Sequence, residues 1–214
     1  TTDRVLVMKR GVALYGGFTG QETERGQRDW EANVTVIDGE EQRGCVQGAN
    51  YAVLDGFTIT RGTARSGGGM DNYQSSPTLT NCVFTANTST GHGGGMINYQ
   101  SSPTLTNCTF TENAASSSGG GMYNSFSSPT LTNCTFTENT GISGGGMYNT
   151  FSSPTLTNCT VTENAAASSG GGMYNGDSSY SPTLTNCILW ANLAYEENEI
   201  YGTSATVTYS CIQG

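Results

Sequence analysis

The chain has 214 residues, with 30 glycines, only 12% charged residues and a formal net charge of −9. The negative balance argues against a nucleic-acid partner, and no run of 18 apolar residues is present that would span a membrane as a helix. Few charges with modest hydrophobicity suit either a disordered chain or a repeat fold in which each segment buries little and stacking does the rest; regular spacing of the apolar residues favours the second.

In chain order, the first third carries all eight Lys and Arg, between Arg4 and Arg65. Residues 1–66 read as N-terminal rungs with irregular, charged loops. Val12 to Gly17 and Val34 to Gly39 read as two successive early strands. Ala52 to Ile59 aligns with the later repeat, with Phe57 at a cysteine position, and this places Cys45 at the position later held by Met70. The chain opens on Thr1, not Met, as expected of a processed or excerpted chain whose export signal is gone.

Residues 67–214 form a regular array, continuous with the first segment in one domain. Pro-Thr-Leu-Thr-Asn-Cys recurs at Pro77, Pro103, Pro129, Pro154 and Pro182, with steps of 26, 26, 25 and 28 residues between its cysteines. Gly-Gly-Gly-Met ends at Met70, Met96, Met122, Met147 and Met173. Phe-Thr-Glu-Asn or a variant ends at Asn87, Asn113, Asn139, Asn164 and Asn192. Within each unit the pattern alternates with period two and is rich in Thr, Phe, Val and Tyr. Gly and Ser clusters interrupt it too often for useful helices. The expected fold is all-β, a right-handed parallel β-helix (a β-solenoid) of about nine rungs of about 25 residues. Thr206-Val207-Thr208 opens a last partial turn. Alternation points four columns inward: the leucines from Leu79, the cysteines from Cys82, the Phe84 column and the methionines. The Asn ending each Phe-Thr-Glu-Asn block reads as a turn residue whose amide bonds the Asn above and below. The glycines before Met read as a corner with positive φ.

These motifs resemble a known group. The Phe-x-x-Asn and Gly-Gly-hydrophobic pairing is similar to the repeat of chlamydial polymorphic outer membrane proteins and of large secreted bacterial proteins with pectin-lyase-like β-helices. Val12-Ala-Leu-Tyr-Gly-Gly-Phe18, Arg28-Asp-Trp-Glu-Ala-Asn33 and Ala52 to Gly62 resemble the leading segment of those secreted proteins. The resemblance spans nearly the whole chain. It implies bacterial export, display at the cell surface or outside the cell, and an adhesive or scaffolding role; the non-enzymatic reading comes from the repeats, which hold one His and no Lys or Arg. It also implies a place inside a longer β-helix, with strand edges through which copies join end to end into filaments. Self-association, surface glycans and other cell-surface proteins are the partners it suggests.

Several features compete for function. Polysaccharide lyases share this fold class, and Asp38, Asp55, Arg43 and Arg61 are the residues from which such a site would be built; surface ion pairs are the plainer reading. The array has one histidine, His92, read as a solvent-exposed turn residue, and no Lys or Arg after Arg65. Thr78, Thr80, Thr104, Thr106, Thr130, Thr132, Thr155, Thr157, Thr183 and Thr185 flank the inward leucines and form two outward rows. Threonines roughly 7 Å apart along a strand and about 4.8 Å apart between rungs resemble the ice-binding face of insect antifreeze proteins. Thr is also simply a good outward strand residue, and a second pair of rows after the cysteines weakens the ice reading. Tyr123, Tyr148 and Tyr174, with Phe126 and Phe151 beyond, form an outward aromatic face for glycans or a partner chain, or a stack that only stiffens the solenoid. Glu112, Glu138 and Glu163 form an acidic column that Ca2+ would relieve, or a solvated one; no other cofactor is suggested. The seven cysteines, one per rung, match no zinc pattern and read as buried thiols, with Cys45 and Cys211 set apart from the column.

Overall fold

The computed structural model describes residues 3–202 and 205–213. Each unit folds into short strands separated by corners. Every strand pairs in parallel with its equivalent one unit further on, giving three sheets of eight strands and a fourth of five. The Met sheet runs from Arg4–Val7 through Met70–Tyr73 and Met122–Ser125 to Ile200–Tyr201. The Leu sheet runs from Ala13–Tyr15 through Thr78–Thr80 and Thr130–Thr132 to Thr206–Thr208. The Phe sheet runs from Thr35–Asp38 through Val83–Thr85 and Thr135–Thr137 to Cys211–Ile212. The fourth sheet, from Thr63–Ala64 to Ala165–Ser169, closes the circuit back to the Met sheet in the middle rungs. Parallel crossovers of this kind wind right-handed.

Eight passes through a sheet make seven full circuits, fewer than the nine rungs expected. Ala13–Tyr15 pairs with Val53–Asp55 in the Leu sheet, whereas Thr35–Asp38 pairs with Phe57–Thr60 in the Phe sheet. The two early strands therefore belong to one rung, split by a long loop. A second correction concerns Cys45. Val46, not Cys45, pairs with Met70. Cys45 sits one residue earlier, buried, with its Sγ 3.2 Å from the Thr60 carbonyl. Phe57 does hold the cysteine position, since Thr58 pairs with Val83.

The inward columns are as alternation requires. Leu79, Leu105, Leu131, Leu156 and Leu184 are fully buried, and so are the five methionines. Phe84, Phe110 and Phe136 stack with centroids 4.6 Å apart and planes within 2° of parallel. Each such side chain contributes about 1.5–3 kcal/mol by leaving water, but only because the rungs above and below cover it.

Corners are set by left-handed residues. Gly67, Gly93, Gly119, Gly144 and Gly170 have φ between +61° and +70°. The next two glycines of each triplet serve closeness instead. A Cβ on Gly95 would lie 2.6 Å from the Gly121 carbonyl oxygen and 2.9 Å from the Phe110 ring. At the corner after the Leu sheet, Asn81, Asn107, Asn133, Asn158 and Asn186 take φ of +51° to +55°, a region Asn tolerates well.

Three asparagine ladders bind the rungs. One, Asn87–Asn113–Asn139–Asn164–Asn192, was expected at a turn; it lies fully inside. The left-handed residue there is the one before it, Ala86, Glu112, Glu138, Glu163 or Ala191. Each Nδ2 in this ladder donates to the next Oδ1, and the last reaches the buried Glu199 carboxylate at 2.5 Å. A second buried ladder, Asn72–Asn98–Asn124–Asn149–Asn175, runs in the same direction. The exposed corner ladder runs the opposite way, each Nδ2 donating to the preceding Oδ1 until Asn81 donates to Asp55.

Candidate functional site

The threonine rows lie on the outer face of the Leu sheet in unbroken register, Thr104 beside Thr130 and Thr106 beside Thr132. The rows are not equivalent. Thr78, Thr104, Thr130 and Thr155 are exposed, while Thr80, Thr106, Thr132 and Thr157 are half-buried beside the corner asparagines. Thr183 and Thr185 are both half-buried. The second set, Thr109/Thr111, Thr135/Thr137 and Thr160/Thr162, lies half-buried on the Phe sheet.

The aromatic residues do stand on the outside, but their rings are turned in file. Tyr123, Tyr148, Tyr174 and Tyr201 stack with centroids 4.6–5.2 Å apart and planes within 11° of parallel. His92 lies against Tyr123 at 4.4 Å. The expected exposed turn histidine is thus a half-buried ring, and burial lowers its pKa. Burial likewise pushes the Tyr148 phenol up to about 12. Phe126 and Phe151 stack at 4.7 Å, with Tyr99 and Tyr180 set edge-on at the two ends. Rings stacked along the solenoid axis cover one another's faces and offer solvent their edges. A sugar stacks on a free ring face; within the columns of Tyr123, Tyr148 and Tyr174 and of Phe126 and Phe151 the faces are turned toward one another, the rung-to-rung stacking that was the alternative to a glycan platform.

Glu112, Glu138 and Glu163 stand exposed at successive corners. They line up along the axis without converging, and among the described residues no three His, Cys, Asp or Glu are grouped to hold a metal ion.

The charged N-terminal residues separate into pairs. Arg61 bonds Asp38, with Nε 3.0 Å from Oδ1, and Arg43 reaches Glu40 at 3.3 Å. Asp55 sits instead at the end of a Leu-sheet strand, at the corner before Phe57–Thr60, where it takes Arg28 at 2.5 Å. Asp38, Asp55, Arg43 and Arg61 therefore do not share a site. The Arg28–Asp55 pair differs from a surface pair in that its side chains are only 9% and 14% exposed. Arg4 is similarly enclosed, bonding Asp71 at 3.1 Å and the Ser66 and Gly67 carbonyls.

All seven cysteines are free, six buried and Cys211 exposed. Burial raises the Cys45 thiol to about 11. The neighbouring Cys134 thiol, together with burial, raises Cys159 above the ordinary thiol range, and its Sγ donates to the Thr157 carbonyl at 3.4 Å.

One concave site escaped the reading of the sequence. The loop between the first Leu-sheet and Phe-sheet strands folds over their corner and leaves a cleft of about 490 Å3, lined by Trp30, Glu31, Phe57, Val83, Asn81 and Asn107. Arg28 lies over the Trp30 ring, its Cζ 5.0 Å from the centroid, and also over Tyr15 at 5.4 Å. The same guanidinium donates to Gly16 O, Asp55 O and Asp55 Oδ2. Asp55 Oδ1 in turn accepts from Asn81 Nδ2 at 3.0 Å. The two walls of the cleft are thus joined through one buried ion pair. Arg28 and Trp30 were visible in the sequence, but nothing local ties them to Asn81.

A search among curated proteins finds no match. Residues 32–210 match the family described as right handed beta helix region. With the stacked parallel sheets, buried ladders and that match in agreement, the chain belongs to the right-handed β-helix family.

Proposed function

We propose that this chain is a non-enzymatic, surface-displayed β-helix that serves as a rigid structural or adhesive module outside the bacterial cell. The observation that carries this reading is how the outer columns are used. Gln74 bonds Gln100, each corner Asn bonds the next, and the Tyr and Phe rings stack on one another. Groups so engaged hold shape; a general acid or base must instead be free to reach a proton. The N-terminal charges are likewise spent in separate pairs. Antibody labelling of intact source cells tests display: strong labelling is expected, and labelling only after permeabilisation overturns it. Turnover of an acidic polysaccharide, with or without added Ca2+, would overturn the non-enzymatic part.

Stacking rung on rung is also the geometry that joins copies end to end. Filaments in negative-stain micrographs of the purified chain are expected; monodisperse particles at high concentration refute that part.

A second reading, water ordering by the Leu-sheet threonines, is favoured by their unbroken register over five rungs. It requires thermal hysteresis that disappears when the exposed Thr104, Thr130 and Thr155 are replaced by Lys. Hysteresis unchanged by those replacements would sink it.

A further inference from the structure

We infer that the cleft between Trp30 and the Asn81–Asn107 corner binds an uncharged oligosaccharide. This rests on the adhesive reading above and gives it a site and a ligand class. The cleft pairs an apolar floor and an indole with amides and one carboxylate. A pyranose offers the matching mixture, an apolar ring face and a rim of hydroxyls. Unlike the stacked tyrosines, Trp30 has no aromatic ring stacked on it among the described residues; its ring partner is the Arg28 guanidinium.

Preorganisation supports the same assignment. Arg28 is held by Asp55 and two carbonyls, and Asp55 holds Asn81. A ligand entering between walls fixed in this way meets little cost of ordering them. The amides also retain capacity. An Asn side chain has two N–H donors and two acceptor lone pairs. Asn107 uses one donor toward Asn81 and one acceptor site toward Asn133, which leaves one of each for a hydroxyl. The corner asparagines repeat once per rung, about 4.8 Å, close to the advance of one sugar in an extended chain, so the ligand lies along the solenoid axis. Charge selects within the class. Glu31 is the one charged lining residue and the chain carries −9, so uronates and sulfated sugars are repelled.

The test uses the Trp190→Phe variant, which leaves Trp30 as the only tryptophan reporter. Soluble tetramers of β-linked glucose, xylose, mannose and N-acetylglucosamine are titrated in turn, with an oligogalacturonate as the acidic comparator. A saturable change in Trp30 emission with at least one neutral sugar is expected, with the acidic one weaker. By calorimetry, Trp30→Ala should weaken binding by about tenfold or more, as loss of an aromatic anchor does, and Asn107→Ala by a smaller factor. If Trp30→Ala unfolds, Asn107→Ala alone decides. No saturable response to any neutral tetramer overturns the inference, as does affinity unchanged in both variants or tighter binding of the acidic sugar. A chain displayed on intact cells yet silent to every sugar removes this inference and leaves the surface reading standing.

Discussion

Replacing Asn139 probes what the buried asparagines do. Its Oδ1 accepts from the Asn113 backbone N–H at 3.1 Å and the Asn113 amide at 2.9 Å. Its Nδ2 donates to Phe110 O at 2.9 Å and Asn164 Oδ1 at 2.8 Å. Asn139→Ala strands two buried donors of Asn113, at about 1–3 kcal/mol each, so a loss of about 2–6 kcal/mol is expected. That is a large part of the roughly 5–15 kcal/mol that stabilises a typical domain. Asn133 is the control: same residue type, same rung, exposed, with φ of +53°. Asn133→Gly loses two exposed hydrogen bonds but suits the left-handed backbone, and should cost less than about 1 kcal/mol. Asn139→Asp should be worse than Ala at pH 7, because a carboxylate then faces the Phe110 and Asn164 oxygens with no proton to give. Burial and these acceptors raise the folded-state pKa of the new Asp above its unfolded value near 4. The Asp variant is therefore least impaired below about pH 4 and loses stability as pH rises through the folded value. Urea unfolding followed by circular dichroism between pH 3.5 and 8 measures all three. Asn139→Ala within 1 kcal/mol of Asn133→Gly, or an Asp variant indifferent to pH, would refute this account of the ladder.

Other consequences are more direct. Gly95→Ala should prevent stacking of its rung, since the new Cβ meets the Gly121 carbonyl oxygen at 2.6 Å; a melting temperature within a few degrees of wild type would contradict this. Thiol labelling of the native chain at pH 8 should modify Cys211 rapidly and the six buried cysteines only after unfolding. Ultraviolet titration should show Tyr148 ionising near 12, after the exposed tyrosines. Because its folded pKa lies above the unfolded value of about 10, its contribution to stability is intact below pH 10 and lost as pH rises toward 12.

The Leu, Cys, Phe and Met columns were legible because each motif fixes its own phase and alternation does the rest. The ladder from Asn72 to Asn175 was legible too, but overlooked: each Asn follows a Met by two residues and must share its inward side. Counting nine rungs failed at the loop between Tyr15 and Thr35, which carries no repeat to mark how far round the circuit the chain has travelled. Cys45 was misplaced by one residue for the same lack of a motif. Ring orientation at Tyr123 or Phe126 was beyond the sequence, since outward position does not say whether a face or an edge meets water. The cleft at Trp30 depends on a loop folding across to Asn81, a contact set by three-dimensional packing.

The amide ladders also have a sense of direction. Every amide in the Asn87 ladder points the same way, and the corner ladder points oppositely. One reversed amide would set two donors nose to nose on one side and two oxygens on the other, so orientation is inherited from neighbour to neighbour, as thread is along a screw. The terminal groups, Glu199 and Asp55, each receive the donor end of their ladder. Whole units can then be added or removed between those two carboxylates without disturbing either terminus, which makes the length of the array adjustable while its chemistry stays constant.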